Sequence, residues 1–136
     1  MPTINPHINF NGNCEEAFEF YRTTFGGDFV LFNRFGKGDK TTESEIDKIA
    51  QIVLPIGSNL LIGNDIPLFM GKVEENENRS KISVSCESKE EALRIFEGLS
   101  KGGEVEVDFS NSEFDIYFSM FRDKFGIEWI VSFDLQ

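Results

Sequence analysis

The sequence holds a single histidine, a single tryptophan and only two cysteines. One histidine cannot by itself build an imidazole-rich catalytic metal site, which draws about three protein ligands from different strands. Two cysteines without a secretory signal read as free thiols rather than as a disulfide framework. Cys14 falls in a first helical turn, where the helix dipole favours a thiolate. Glu15 and Glu16 beside it oppose that charge, so a structural thiol is expected. Basic residues are scarce as well: 13 Lys and Arg stand against 24 Asp and Glu, a formal net charge of −11, and no basic stripe offsets it. Such a surface repels phosphates, which argues against nucleic acid as a partner. No apolar run approaches the length of a membrane span and no cleavable leader is read, so no membrane partner and a cytoplasmic location are expected.

What the sequence has in quantity is phenylalanine, 15 residues against two tyrosines. At 136 residues the chain suits one domain able to bury roughly two-thirds of its unfolded surface. An internal repeat organises it. Glu15-Glu16-Ala17 followed by Gly26-Gly27 returns as Glu90-Glu91-Ala92 followed by Gly102-Gly103. Each copy opens on a capping signal, Asn13 ahead of Glu16 and Ser88 ahead of Glu91, and each leaves its Gly-Gly into strand. A repeat of this size is one supersecondary unit used twice, and two such units enclose a cleft between them.

Residues 3–11 alternate, with Ile4, Pro6, Ile8 and Phe10 on one side and Asn5, His7, Asn9 and Asn11 on the other, which predicts a half-buried strand. A helix follows over Cys14–Phe25 with the stripe Ala17, Phe18, Tyr21 and Phe25. Strands are expected at 29–35, 49–56 and 60–63, with a Gly-rich, charged, mobile loop over 36–47. The second half repeats the plan: strand 81–86, helix 89–100, strand 104–109, and a hairpin from 116 to 133 turning at 123–126. The expected organisation is a single α+β domain of two βαβββ modules, 1–66 and 81–136, joined by a connector over 67–80. A ferredoxin-like repeat is the competing plan, and the late hairpins leave each half one strand too many for it.

Three passages resemble the PhnB-like family of the vicinal oxygen chelate superfamily, which includes glyoxalases, bleomycin-resistance proteins and extradiol dioxygenases. They are the stretch from Asn5 to Tyr21 with its Asn11-Gly12-Asn13 before a Glu-Ala helix, ending in Phe25-Gly26-Gly27; Lys89-Glu90-Glu91-Ala92 with Leu99 and Gly102-Gly103; and Asp123-Lys124-Phe125-Gly126-Ile127-Glu128-Trp129. The resemblance implies curved mixed β-sheets enclosing a cavity, homodimers, and in some members a divalent metal held by His and Glu. Some relatives carry the label 3-demethylubiquinone 3-methyltransferase, a reaction that no residue pattern here supports directly.

Against the ligand pattern of metal-dependent members, the first strand offers His7, Leu60-Leu61-Ile62-Gly63 offers none, and Ser83 and Ser85 are poor ligands. The last strand has Ile130 and Val131 where a Glu is expected, with Glu128 two positions earlier. Many relatives place a His in the third strand where this chain has Gln51. His7 and Glu128 are therefore the metal candidates, with Asp115 or Glu106 as helpers, and no cofactor is firmly implied. His7, Asn9, Gln51, Ser83, Ser85, Tyr117, Ser119 and Trp129 are read as lining a cup for a small, largely uncharged molecule, if the larger apolar set packs under the helices. Leu68-Phe69-Met70, apolar within a polar connector, is read as a subunit contact or a lid. Three functions stay open: a homodimeric small-molecule binder, a divalent-metal lyase, isomerase or dioxygenase, and an interaction module with a self-filled cup.

Overall fold

A computed structural model of the chain describes residues 2–37, 42–111 and 116–134, with the backbone alone described at 109–111, 116, 117 and 134. The centre of the 36–47 loop and Asp115 fall outside the described residues. The chain divides into two compact units, Met1–Val73 and Glu74–Gln136.

The first unit runs β1 (His7–Phe10), α1 (Cys14–Phe25), β2 (Leu31–Arg34), β3 (Ile49–Ile56) and β4 (Asn59–Asp65). Its sheet has the order β1-β4-β3-β2, with β1 parallel to β4 and the other pairs antiparallel. Helix α1 packs one face of that sheet. Phe10, Ala17, Phe18, Tyr21, Ile52, Leu54 and Leu61 are buried there, and the Phe18 ring meets Phe10 and Tyr21 edge-on at 6.1 and 5.5 Å. Gly63 makes this approach possible, since a Cβ there would lie 2.3 Å from Phe18 Cε1. A bidentate ion pair from Arg34 to Glu15, at 2.8 and 3.0 Å, ties the edge strand β2 to the helix. Ile4, expected on the core side of the first strand, is 88% exposed, because strand pairing begins only at His7.

Asn13 was expected to cap α1, but its side chain makes no capping hydrogen bond. Asp65 takes that place from the end of β4. Its Oδ1 accepts from Gly12 N at 3.0 Å and Cys14 N at 2.9 Å, and its Oδ2 accepts from Ile49 N at 2.9 Å. The parallel pairing of Phe10 with Asp65 delivers the carboxylate to the helix start, where the dipole favours a negative charge.

The second unit repeats the plan with β5 (Ile82–Cys86), α2 (Lys89–Ser100), β6 (Glu104–Asn111), β7 (Ile116–Arg122) and β8 (Glu128–Asp134) in the order β5-β8-β7-β6. Ser88 caps α2 as expected, its hydroxyl accepting from Glu91 N at 3.1 Å. Ala92, Ile95, Leu99, Phe121, Trp129, Val131 and Phe133 form the buried layer between α2 and its sheet. Asp123 holds the β7–β8 turn by accepting from Phe125 N and Ile127 N at 2.8 and 3.0 Å. Its other oxygen accepts the Trp129 indole N–H at 2.8 Å.

Candidate functional site

Each sheet has one face packed by its helix and one turned away from it, and strand alternation decides which side chains reach the second face. In the first unit Gly63 and Ile52 are register partners on the α1 side, so Asn64 and Gln51 turn away from α1. Asn9 stands opposite Asn64, and Asn33 opposite Gln51. Four carboxamides, Asn9, Asn64, Gln51 and Asn33, thus form one row across all four strands. The next row is His7, Ile62, Val53 and Leu31. His7, Asn9, Asn33 and Gln51 are exposed, whereas Val53 is buried.

His7 is held within this row. Its Nε2 lies 2.6 Å from Asn64 Oδ1, while Asn64 Nδ2 donates to the Asp65 carbonyl at 3.1 Å. The second bond orients the amide so that Oδ1 is the acceptor. His7 Nε2 therefore carries the proton, and in the neutral ring Nδ1 keeps its lone pair for an incoming donor. Of the residues expected to line a cup, His7, Asn9 and Gln51 come together on this face. Asn33 and Asn64 complete it and were missed, because each is the one polar residue on an otherwise apolar strand face and only the strand pairing aligns them.

In the second unit Ser83 and Ser85 are exposed on the face away from α2, in register with Ile130 and Ser132. Ser119 and Trp129 are not with them. Both are fully buried on the α2 side, which Phe121 marks by its ring contact with Phe96 at 5.5 Å. Ser119 spends its hydroxyl on the Val131 carbonyl at 3.4 Å, and Trp129 spends its N–H on Asp123. The backbone of Tyr117 pairs with Phe133 and Asn111, and its side chain lies outside the described residues.

Glu128 also faces away from α2, in register with Arg122. Its side chain is fully buried. Oε1 receives Arg122 Nη2 at 3.1 Å and Lys81 Nζ at 3.5 Å, and Oε2 has no hydrogen-bond partner among the described residues. Burial pushes its carboxyl above the usual range, and the neighbouring Glu106 adds to the rise.

A further hollow in the first unit, near the start of α1, is lined by Phe35, Ile66, Leu68, Lys48, Glu45 and Asp65 among others. Three of its charged groups are already committed: Lys48 Nζ donates to the Gly12 carbonyl at 2.8 Å, Asp65 caps α1, and Glu45 Oε2 accepts from Leu68 N at 2.8 Å.

The family model described as 3-demethylubiquinone-9 3-methyltransferase matches residues 2–132. The chain is a member of that PhnB-like family. Protein PA1353 from Pseudomonas aeruginosa is 33% identical in a solved structure, with a TM-score of 0.88 over 98% of both chains. The putative 3-demethylubiquinone-9 3-methyltransferase, PhnB protein, from Bacillus cereus is 20% identical with a TM-score of 0.79 over 97% of this chain and 99% of that one. Among curated proteins, Protein YjdN of Escherichia coli K12 is 23% identical over 97% of this chain and 95% of its own length. The fold recurs in a glyoxylase/bleomycin resistance protein/dioxygenase domain from Frankia, 16% identical, with a TM-score of 0.68 over 100% of this chain and 94% of that one. The PhnB-like chain is thus an α+β protein of the glyoxalase and bleomycin-resistance fold, built of two mixed four-stranded sheets and two helices. Among its described residues no helix is long and apolar enough to cross a membrane.

The divalent ion that this fold holds in some members finds a poor donor set here. His7 commits Nε2 as a donor to Asn64, and Glu128 already faces two cations, whose charges oppose a third. Among the described residues no three His, Cys, Asp or Glu side chains stand together as a ligand group.

Proposed function

We propose that this PhnB-like protein binds a small, neutral, polar molecule on the sheet face of its first unit turned away from α1. The row Asn9, Asn64, Gln51 and Asn33, with His7 beside it, carries this reading. A carboxamide offers both donors and an acceptor without charge, so a row of four suits amide or carbonyl groups and is indifferent to anions. Leu31 and Ile62 in the adjacent row supply apolar surface for the ligand's body. His7 Nδ1 gives one acceptor of fixed direction. Ser83 and Ser85 belong to the corresponding face of the second unit, and we assign them the same role. Self-association into a homodimer belongs to the same reading, with Leu68, Phe69 and Met70 as its surface, exposed to 55%, 59% and 62%.

Native mass spectrometry of protein purified from cells, followed by a thermal-shift screen of neutral amides and ketones, tests the ligand reading. A retained or stabilising compound is expected, bound about 2–10-fold more weakly by Gln51→Ala and Asn9→Ala, the loss due to one hydrogen bond. Both positions are exposed, so neither change removes core packing. Unaltered affinity in both variants, or no compound that binds, overturns the assignment.

A further inference from the structure

We propose that the hollow beside the start of α1 is a binding site for a small aromatic monocarboxylate, with Lys72 receiving the carboxylate. The hollow lies wholly in the first unit and shares no residue with the sheet face assigned to neutral polar molecules.

Size and walls point to a single ring. The hollow has a volume of about 170 Å³, and an apolar cavity of about 150 Å³ takes up benzene. Phe35 and Ile66, both half-buried, stand on its walls. Covering their apolar surface with a ring supplies most of the attraction. The exposed residues Asn11, Ser44 and Lys72 line the hollow toward solvent, and the buried Glu45 and Asp65 line it from within.

The charge of the occupant follows from which polar groups are already spent. Asp65 accepts from three backbone N–H groups. Glu45 accepts from Thr42 N and the Thr42 hydroxyl on one oxygen, both at 3.1 Å, and from Leu68 N on the other. Since Thr42 gives its hydroxyl hydrogen to Glu45, Ser44 must be the donor in the 2.9 Å contact between the two hydroxyls. Asn11 closes on Val73, donating to its carbonyl at 3.0 Å and accepting its N–H at 2.9 Å. Lys48 is held by the Gly12 carbonyl. Of the charged groups lining the hollow, Lys72 alone has an ammonium with no ion pair or hydrogen bond among the described residues. One incoming carboxylate therefore meets N–H donors that are bonded to nothing but water. A second negative charge is opposed by Glu45 and Asp65 and by the net charge of −11. An aromatic body suits those two carboxylates, because a ring turns a positive edge outward.

Benzoate is the probe and benzyl alcohol its uncharged counterpart, each titrated into the isotopically labelled chain at matched ionic strength and followed by amide NMR. Benzoate is expected to saturate with a Kd of about 0.1–10 mM, as befits so small a ligand. Its titration should move the amides of Gly12, Ile66, Gly71 and Lys72. Lys72→Gln should weaken benzoate about 3-fold and Lys72→Glu about 10-fold, the range of an exposed ion pair lost or reversed. Benzyl alcohol should bind all three proteins alike. Lys72 is exposed, so neither change removes core packing. Gln51→Ala, which weakens ligands of the carboxamide row, should leave benzoate untouched, so this site and that face stand or fall separately. Failure of benzoate to saturate, shifts confined to Asn9, Asn33 and Gln51, or equal benzoate affinity in the wild type and Lys72→Glu overturns the assignment.

Discussion

Burying a carboxylate is costly unless each oxygen finds a donor, and three acidic side chains here meet that demand differently. Asp65 takes three backbone N–H groups, and Asp123 takes two together with an indole. Glu128 gathers two cations on one oxygen, and the other has no hydrogen-bond partner among the described residues. The first two are structural. The thiols follow the same logic in reverse. Cys14 is wholly buried, and burial, Asp65 and Glu15 all push its thiol up. Cys86 is pushed up to about 11, chiefly by burial. Neither is a thiolate at neutral pH, so a disulfide-exchange reagent should modify the folded protein at least on the order of 100-fold more slowly than a free thiol. Both thiols should react once the chain is unfolded. Rapid uptake of one equivalent by the folded protein would show a thiol lying open to solvent. The structural role of Cys14 was legible in its sequence neighbours. Asp65 was not, because a carboxylate three residues past Ile62 announces nothing about a helix that starts at residue 14.

At the scale of elements, close packing rests on two glycines, Gly63 where β4 meets α1 and Gly103 where the chain entering β6 meets β7. A Cβ on Gly63 would stand 2.3 Å from the Phe18 ring, and one on Gly103 would stand 2.1 Å from the Arg122 carbonyl. Gly63→Ala should therefore destabilise the protein by about 1–3 kcal/mol through overpacking. The effect should appear as a lower urea midpoint with an unchanged slope. A neutral result would mean that Phe18 can retreat from β4 at no cost. The elements themselves were readable: the helices at 14–25 and 89–100 fall where their caps and stripes put them, because glycine stops and 3.6-residue stripes are local signals. The faces were harder. Strand β7 carries bulk on both sides, with Phe118 and Met120 on one and Ser119 and Phe121 on the other. Assigning the larger pair to the core turned Ser119 towards the cup. What decides the matter is non-local, the pairing of Phe121 with Trp129 and their packing under α2. On β1 the alternation was legible, so His7 and Asn9 were read on one face, whereas both faces of β3 are apolar and Gln51 entered through the family resemblance alone.

For the molecule as a whole, duplication produced two units with the same element order and the same sheet order. The repeated Glu-Ala and Gly-Gly signals announced this, and the PhnB-like passages pointed to the family. Leu68, Phe69 and Met70 form a short 3-10 turn that Glu45 anchors through Leu68 N. That bond holds the Glu45 carboxyl below the usual range, so the exposed apolar turn keeps its anchor at neutral pH. Sedimentation velocity at micromolar concentration should show a dimer, with Phe69→Asp shifting the population to monomer. A wild-type monomer at that concentration would remove the self-association part of the proposal. The position of the one indole has its own consequence. Trp129 belongs to the second unit and the first has no tryptophan, so selectively excited tryptophan fluorescence reports on one half alone, while far-ultraviolet dichroism averages both. Whether the halves melt as one body or in succession can thus be read from the wild-type chain without a label, from the agreement or divergence of two optical traces.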